Sequence, residues 1–201
     1  MQDDSFQLRV RVLGAISGML SPIVAVIAIS YAISSNANFS FASNALSDLG
    51  ASAIMSPFNI GMVISGMLLA IFFISMFYLL PKVRLYCALG AIGAISLELL
   101  GIFNETYPIH LFFSTVYFLV VPLAIVGINA YSPKMPYALK NYGIVSGIVS
   151  VSLALFGMEF MSLERSYGIG FAVNEALGAA LLSIWLMIFA LMVLTGRYKA
   201  K

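Results

Sequence analysis

The sequence has few charged residues, one cysteine and one histidine, and each scarcity excludes a class of protein. Asp, Glu, Lys and Arg make up 9% of the chain and hydrophobic residues 62%, against about 25% and roughly 45–50% in soluble domains. A soluble core has no room for so much apolar surface, so we predict an integral membrane protein. The single Cys87 excludes an intrachain disulfide and a thiolate metal site. The single His110 excludes histidine-rich zinc sites and bis-histidine haem ligation.

Six apolar runs take up most of the 201 residues, and each is near or above the ~20 residues that a helix needs to cross a bilayer. The runs are continuous in Leu, Ile, Val, Phe and Ala, which favours helices that satisfy their own backbone hydrogen bonds. We predict one all-α domain over residues 1–201, a six-helix transmembrane bundle. Its spans are predicted at 10–33, 57–80, 83–103, 109–131, 138–161 and 170–195.

Charge is divided unequally between the two ends of these spans. Nine of the ten basic residues lie at or before the start of the first span, after the last, or in or beside the second and fourth connections, and Arg165 is the exception. Because positively charged short loops stay cytoplasmic, we predict both termini inside, in a prokaryotic plasma membrane. The predicted outer half holds six of the eight acidic residues and the histidine, namely Asp48, Glu98, Glu105, Glu159, Glu164, Glu175 and His110.

Two of these acids, Glu98 and Glu175, lie several residues inside spans three and six. An ionisable side chain at that depth is costly unless it faces a cavity or a partner. We therefore expect neither carboxyl to face lipid.

The first outer connection reads Phe41-Ala-Ser-Asn-Ala-Leu-Ser-Asp-Leu-Gly50. If it forms a short helix, Asn44 and Asp48 share one face and Gly50 suits the helix C-terminus. An ordinary cap and turn explains the same residues equally well, because Asn, Ser and Asp are common at helix ends.

The second outer connection carries Glu105 and leads into a helix on which His110 and Ser114, four residues apart, share a face. A lone histidine near a membrane interface is more often a hydrogen-bonded structural residue than a ligand, but its nearness to Glu105 favours a shared polar site. Two N-x-S/T sequons, at Asn38 and Asn104, also lie in outer connections. Glycosylation sites and chance matches to the motif are both open explanations.

An ordered set of short motifs runs through the chain and resembles a known family. The motifs are Asn44-x-x-Ser47-Asp48-Leu49-Gly50, Pro57-x-Asn59-x-Gly61, Gly101-x-Phe103 with Glu105 and His110, and Glu175 followed by Trp185. Together they resemble a family of uncharacterised six-helix membrane proteins, the domain of unknown function 998 type, common in archaea. The resemblance implies a six-helix fold and candidate residues but no reaction.

In many relatives of that type an arginine follows the last-span glutamate, whereas this chain has Ala176, so the resemblance provides no ion-pair partner for Glu175. There is also a fainter likeness in layout to DRAM-type membrane proteins, which carry a Ser-Asp-rich first outer loop.

Three functions remain open. The first is binding or transport of a proton, a cation or a lipid head group in an outward-facing polar pocket. A complete transport pathway is less well supported, because no span carries a central charge or an obvious Gly/Pro break and no inverted repeat is visible. The pocket is predicted to be lined by Asn44, Ser47, Asp48, Glu98, Glu105, His110, Ser114 and Glu175.

The second is a lipid-modifying hydrolase with Asp48 and His110 as acid and base and Ser47 or Ser114 as nucleophile, or with one divalent metal on the carboxylates and His110. The third is a structural or accessory subunit of a membrane complex, whose acids contact a partner or solvent. No cofactor is indicated by the sequence, and the dispersed basic residues argue against a nucleic-acid partner.

Overall fold

Six long helices form most of the described chain. The computed structural model describes residues 2–51, 56–166 and 170–198, and within these the side chains of residues 2–4 and 158–166 are not described. Over these residues the chain is helical and has no strand. The long helices are α1 (Gln2–Ser34), α2 (Pro57–Leu79), α3 (Arg84–Ile102), α4 (His110–Tyr131), α5 (Tyr137–Ser166) and α6 (Phe171–Leu194), and two short 3-10 helices cover Leu46–Gly50 and Pro81–Val83.

All six long helices have the length and composition to cross a membrane, which confirms the predicted fold class. In the most apolar window of each helix only 33% to 56% of the residues are buried. Many of the others are exposed Ile, Leu, Val and Phe side chains. Apolar residues on the outer surface as well as the inner one are expected where lipid is the solvent.

The helix bounds agree with the predicted spans except at two ends. α1 begins at Gln2, although its span was predicted from residue 10, and α5 continues to Ser166, although its span was predicted to end at 161. Hydropathy marks only the apolar part of a helix, whereas backbone hydrogen bonding continues into polar turns outside it.

The helices form a closed ring. Each long helix packs against its neighbours in sequence, and α6 packs against α1. Small residues allow the close approaches: a Cβ added at Gly61 of α2 would collide with the Cβ of Ala28 on α1. The ring creates an interior that side chains from several helices can reach.

Connections alternate between the two ends of the ring. At one end, Gly170 N donates to Phe41 O (2.8 Å) and the Ser47 hydroxyl donates to Glu105, which joins the α1–α2, α3–α4 and α5–α6 connections. We call this the acidic end. At the other, basic end, the Tyr198 hydroxyl donates to Pro133 O (3.1 Å) and so joins the C-terminal segment to the α4–α5 connection. That the acidic end faces outward stays a prediction from loop charge.

Two prolines lie inside helices, Pro22 in α1 and Pro122 in α4, and both helices continue through them. We expected no obvious Gly/Pro break in a span, and neither proline makes one in the described helices. Each proline removes one backbone hydrogen bond of its helix, but the structure has no interrupted helix at either position.

Candidate functional site

The α1–α2 connection folds over the acidic end and caps α6. Gly170 N donates to Phe41 O (2.8 Å), and Ala172 N donates to Asn44 O (2.9 Å). The first N–H groups of a helix have no partner within the helix. The connection therefore satisfies donors at the start of α6 and is held against the bundle by them.

The 3-10 helix Leu46–Gly50 is stabilised by a carboxylate cap. Asp48 Oδ2 accepts from Asn44 Nδ2 (2.6 Å) and from Ala45 N (3.1 Å). The short helix ends at Gly50 as predicted, but Asn44 precedes it, so Asn44 and Asp48 do not share a helical face. The cap-and-turn alternative describes this pair correctly, because Asn44, outside the helix, donates a hydrogen bond to Asp48 in the first turn of the helix.

The carbonyl of Gly50 is a junction between three segments. It accepts from Asn59 Nδ2 of α2 and from Asn104 Nδ2 of the α3–α4 connection, each at 3.0 Å. Asn104 is buried, and its Nδ2 is the atom that would carry a glycan. A glycan at Asn104 is therefore incompatible with this geometry, whereas Asn38 is exposed and its modification stays a prediction.

Glu175 is buried, unlike the other described acids of this end. It lies on the first turns of α6, is 7% exposed, and accepts the Leu46 N–H on Oε2 at 2.6 Å. The second oxygen, Oε1, has no hydrogen-bond partner in the described part of the chain. The charges of Asp48 and Glu105 act on the same carboxyl. Three acids thus share one electrostatic environment, with one carboxylate oxygen of Glu175 unengaged.

His110 lies at the start of α4, across the acidic end. Its Nδ1 is 2.8 Å from Phe103 O, and because a carbonyl only accepts, Nδ1 carries the hydrogen. The other ring nitrogen, Nε2, is then an acceptor in the neutral ring. Nearby, the Ser47 hydroxyl donates to Glu105 Oε2 (3.1 Å). In the predicted hydrolase, Ser47 is a nucleophile that acts with His110, but the Ser47 hydroxyl is hydrogen-bonded to Glu105.

A cavity of about 110 Å³ extends from these residues into the ring. At the acidic end its wall includes four of the predicted site residues, and further in it includes Leu, Ile, Met and Phe side chains from α1, α2, α3, α4 and α6. The four predicted residues are Ser47, His110, Ser114 and Glu175.

The other predicted residues are placed differently. Asn44, Asp48 and Glu105 bind within the connections and do not line the cavity. Glu98 is half-buried on α3, where its backbone packs closely against Gly66 of α2, and it is apart from the cavity wall. The side chains of Glu159, Glu164 and Arg165 lie outside the described residues.

Deeper polar contacts on the cavity wall were not predicted. The Ser21 hydroxyl of α1 donates to Ser65 O of α2 (2.9 Å), and the Ser65 hydroxyl donates to Ser21 O (3.0 Å). The only sequence signal for such a hydrogen-bonded pair is a serine in each of two apolar runs. Because the sequence does not show which two helices pack together, the pair could not be predicted.

The described residues contain no group of three or more His, Cys, Asp and Glu arranged to hold a metal ion. The single-metal version of the hydrolase hypothesis places one divalent metal on the carboxylates and His110. Among these side chains, Asp48, Glu105 and His110 bind Asn44, Ser47 and a backbone carbonyl, respectively.

Comparison with known proteins gives one family. A family model described as protein of unknown function (DUF998) matches residues 19–192, which includes parts or all of the six helices and every candidate site residue. No curated protein and no solved structure matches the chain.

Proposed function

The chain belongs to the family of proteins of unknown function DUF998, and from its own side chains we propose that it binds a positively charged head group at the Glu175 carboxyl. The observation that carries the proposal is the free oxygen of a buried acid beside a cavity. Glu175 is 7% exposed and lines the cavity, and Oε1 has no hydrogen-bond partner in the described residues.

Burial of an ionised carboxylate without a partner is expensive, by several kcal/mol after relaxation. The Leu46 N–H provides one charge-assisted hydrogen bond. The charges of Asp48 and Glu105 add repulsion. A cationic ligand at Oε1 offsets these unfavourable terms, because its own charge is attracted by all three acids.

An ammonium group suits this position better than a bare charge. It presents several N–H donors, and the nearby wall offers acceptors in the Ser47 hydroxyl and in Nε2 of a neutral His110. An amine head group also fits a site at the end of membrane-spanning helices, where lipid head groups and charged solutes are found. A proton or an inorganic cation neutralises the same carboxyl, and each is an outcome of the test below.

The test is thermal unfolding of the purified protein in detergent with methylammonium chloride, against potassium chloride at equal ionic strength. A ligand at about 100 times its Kd stabilises the folded state by about 2.7 kcal/mol, or about 5–10 °C for a chain of this size. We expect methylammonium to raise Tm, and Glu175→Gln to abolish the rise.

Glu98→Gln is the matched control, because Glu98 is also an acid within a span but does not line the cavity. It should keep the wild-type shift. An equal shift in folded Glu175→Gln, or an equal shift with potassium, contradicts the proposal. Stabilisation that follows pH and ignores methylammonium points to a proton instead.

A further inference from the structure

The cavity continues well beyond the carboxyl that the proposed function uses. Along α6 its wall runs from Glu175 to Leu186, eleven residues apart, which is ~16 Å at the helical rise per residue. The opposite wall includes Met62 and Phe73 of α2 and Ile125 of α4. A ligand that bound only through a charged group would leave this space unoccupied.

The inner wall is mainly apolar, with hydroxyls from Ser21, Ser65, Tyr117 and Ser183 among its side chains. The Ser21 and Ser65 hydroxyls donate to each other's backbone carbonyls, so the hydrogens of these two are already used. Around them lie Leu69, Leu97 and Leu182. Apolar cavities of this kind stay dry and take up hydrocarbon, whereas polar cavities hold water through two to four hydrogen bonds.

The volume limits the size of the occupant. The cavity measures about 110 Å³, and an apolar cavity of ~150 Å³ takes up benzene, which has six carbons. By that comparison the space accepts about four carbons.

We infer that the ligand is a single-chain alkylamine-like amphiphile, with its ammonium group at Glu175 and a short hydrocarbon chain along the inner wall of α6. The inference rests on the proposed function and adds the chemical class of the ligand. Glu175 supplies the charge partner and the apolar wall supplies the chain site, so one molecule satisfies two features of the same cavity.

The experiment is a binding series of straight-chain primary amines from methylamine to octylamine. Trp185 is the only tryptophan, is fully buried, and adjoins Leu186 of the wall, so its fluorescence reports occupancy. Each methylene that enters the cavity should tighten binding about fourfold, and the gain should stop near four carbons, when the cavity is full.

Two alanines on α6 give a matched pair of variants. Ala179 lines the cavity and Ala180 is exposed. Ala179→Leu adds three carbons to the cavity and should weaken butylamine binding by roughly 60-fold while it leaves methylamine binding intact. Ala180→Leu should change neither. If Ala179→Leu does not fold, Ala25→Leu on the α1 wall serves the same purpose.

The outcomes separate the two proposals. If methylamine binds and depends on Glu175 but affinity does not change with chain length, the chain site is refuted and the proposed function stands. Gains that continue to octylamine equally in Glu175→Gln show partitioning into detergent and also overturn the inference. If no amine binds the folded protein, the proposed function itself fails.

Discussion

The Ser21–Ser65 contact gives a quantitative test of how α1 and α2 are joined. Each hydroxyl donates to the other residue's backbone carbonyl, at 2.9 and 3.0 Å, and the two hydroxyl oxygens are 3.0 Å apart. Both residues are buried. Replacement by alanine removes the donor in each case and changes the side-chain volume by only one oxygen atom.

The expected magnitude follows from the donors and acceptors. Interhelical hydrogen bonds in membranes contribute about 0.6 kcal/mol on average and at most about 1.7 kcal/mol. Ser21→Ala and Ser65→Ala should each lower the free energy of unfolding by that amount. Because the acceptors are backbone carbonyls, which alanine retains, the second bond survives the first substitution. The double variant should therefore lose more than either single variant, up to about 3.4 kcal/mol.

The assay is equilibrium unfolding of the full chain in mixed micelles, with Ser152→Ala as control. Ser152 is exposed, and its hydroxyl bonds Ile148 O within the same helix. This variant measures the effect of alanine's higher helix propensity without loss of an interhelical bond. If the double variant loses no more stability than Ser152→Ala, the two serines do not join α1 to α2.

Three further variants test other parts of the structure. Asp48→Ala removes the acceptor for Asn44 Nδ2 and Ala45 N. Hydrogen bonds to a charged group contribute about 1.5–3 kcal/mol, so amide hydrogen exchange in residues 44–50 should accelerate roughly 10- to 150-fold. Asp48→Asn keeps one oxygen and should have the smaller effect. Gly61→Ala places a Cβ against that of Ala28 and should lower the free energy of unfolding by about 1–3 kcal/mol; Ala28→Gly in the same chain should restore most of it, and no restoration would show that the two helices do not meet there. Trp185→Phe removes the donor to the buried Asn129 Oδ1 (3.1 Å) and should lower the free energy of unfolding by about 1–3 kcal/mol. The double variant with Asn129→Leu should lower it less, because the buried Asn129 oxygen is then no longer present without its donor.

The six spans could be predicted because long apolar runs are a property of the chain itself. Which helices meet could not be predicted from the same signal. In a membrane both the lipid-facing and the inward-facing sides of a helix are apolar, so the periodicity that orients a soluble helix is weak. The contact between α6 and α1 that closes the ring is a product of packing and has no signature in composition.

The positions of the two intramembrane acids show that the sequence does not indicate which way a helix faces. Glu98 and Glu175 were equivalent in the sequence, each several residues inside a span. Rotation of α6 turns Glu175 into the cavity, while α3 places Glu98 beside Gly66 of α2 and away from it. Residue type indicated that the positions were unusual, and only the three-dimensional arrangement distinguished them.

The hydrogen-bond partner of Glu175 could not be predicted from the sequence for a different reason. It is the backbone N–H of Leu46, which lies 129 residues away in the chain. Every residue except proline has such a donor, so side-chain chemistry gives no sign of it. Asn44 and Asp48 were easier to predict as partners, because the residues are only four apart and the motif is local.

A high-resolution structure in lipid with butylamine would show where the ligand binds. We expect the amine nitrogen within hydrogen-bond distance of Glu175 Oε1 and the alkyl chain along the wall toward Leu182 and Leu186. A ligand bound elsewhere while the cavity stays open, or a Glu175 carboxyl that is turned away and paired with a side chain of the protein, would contradict this expectation.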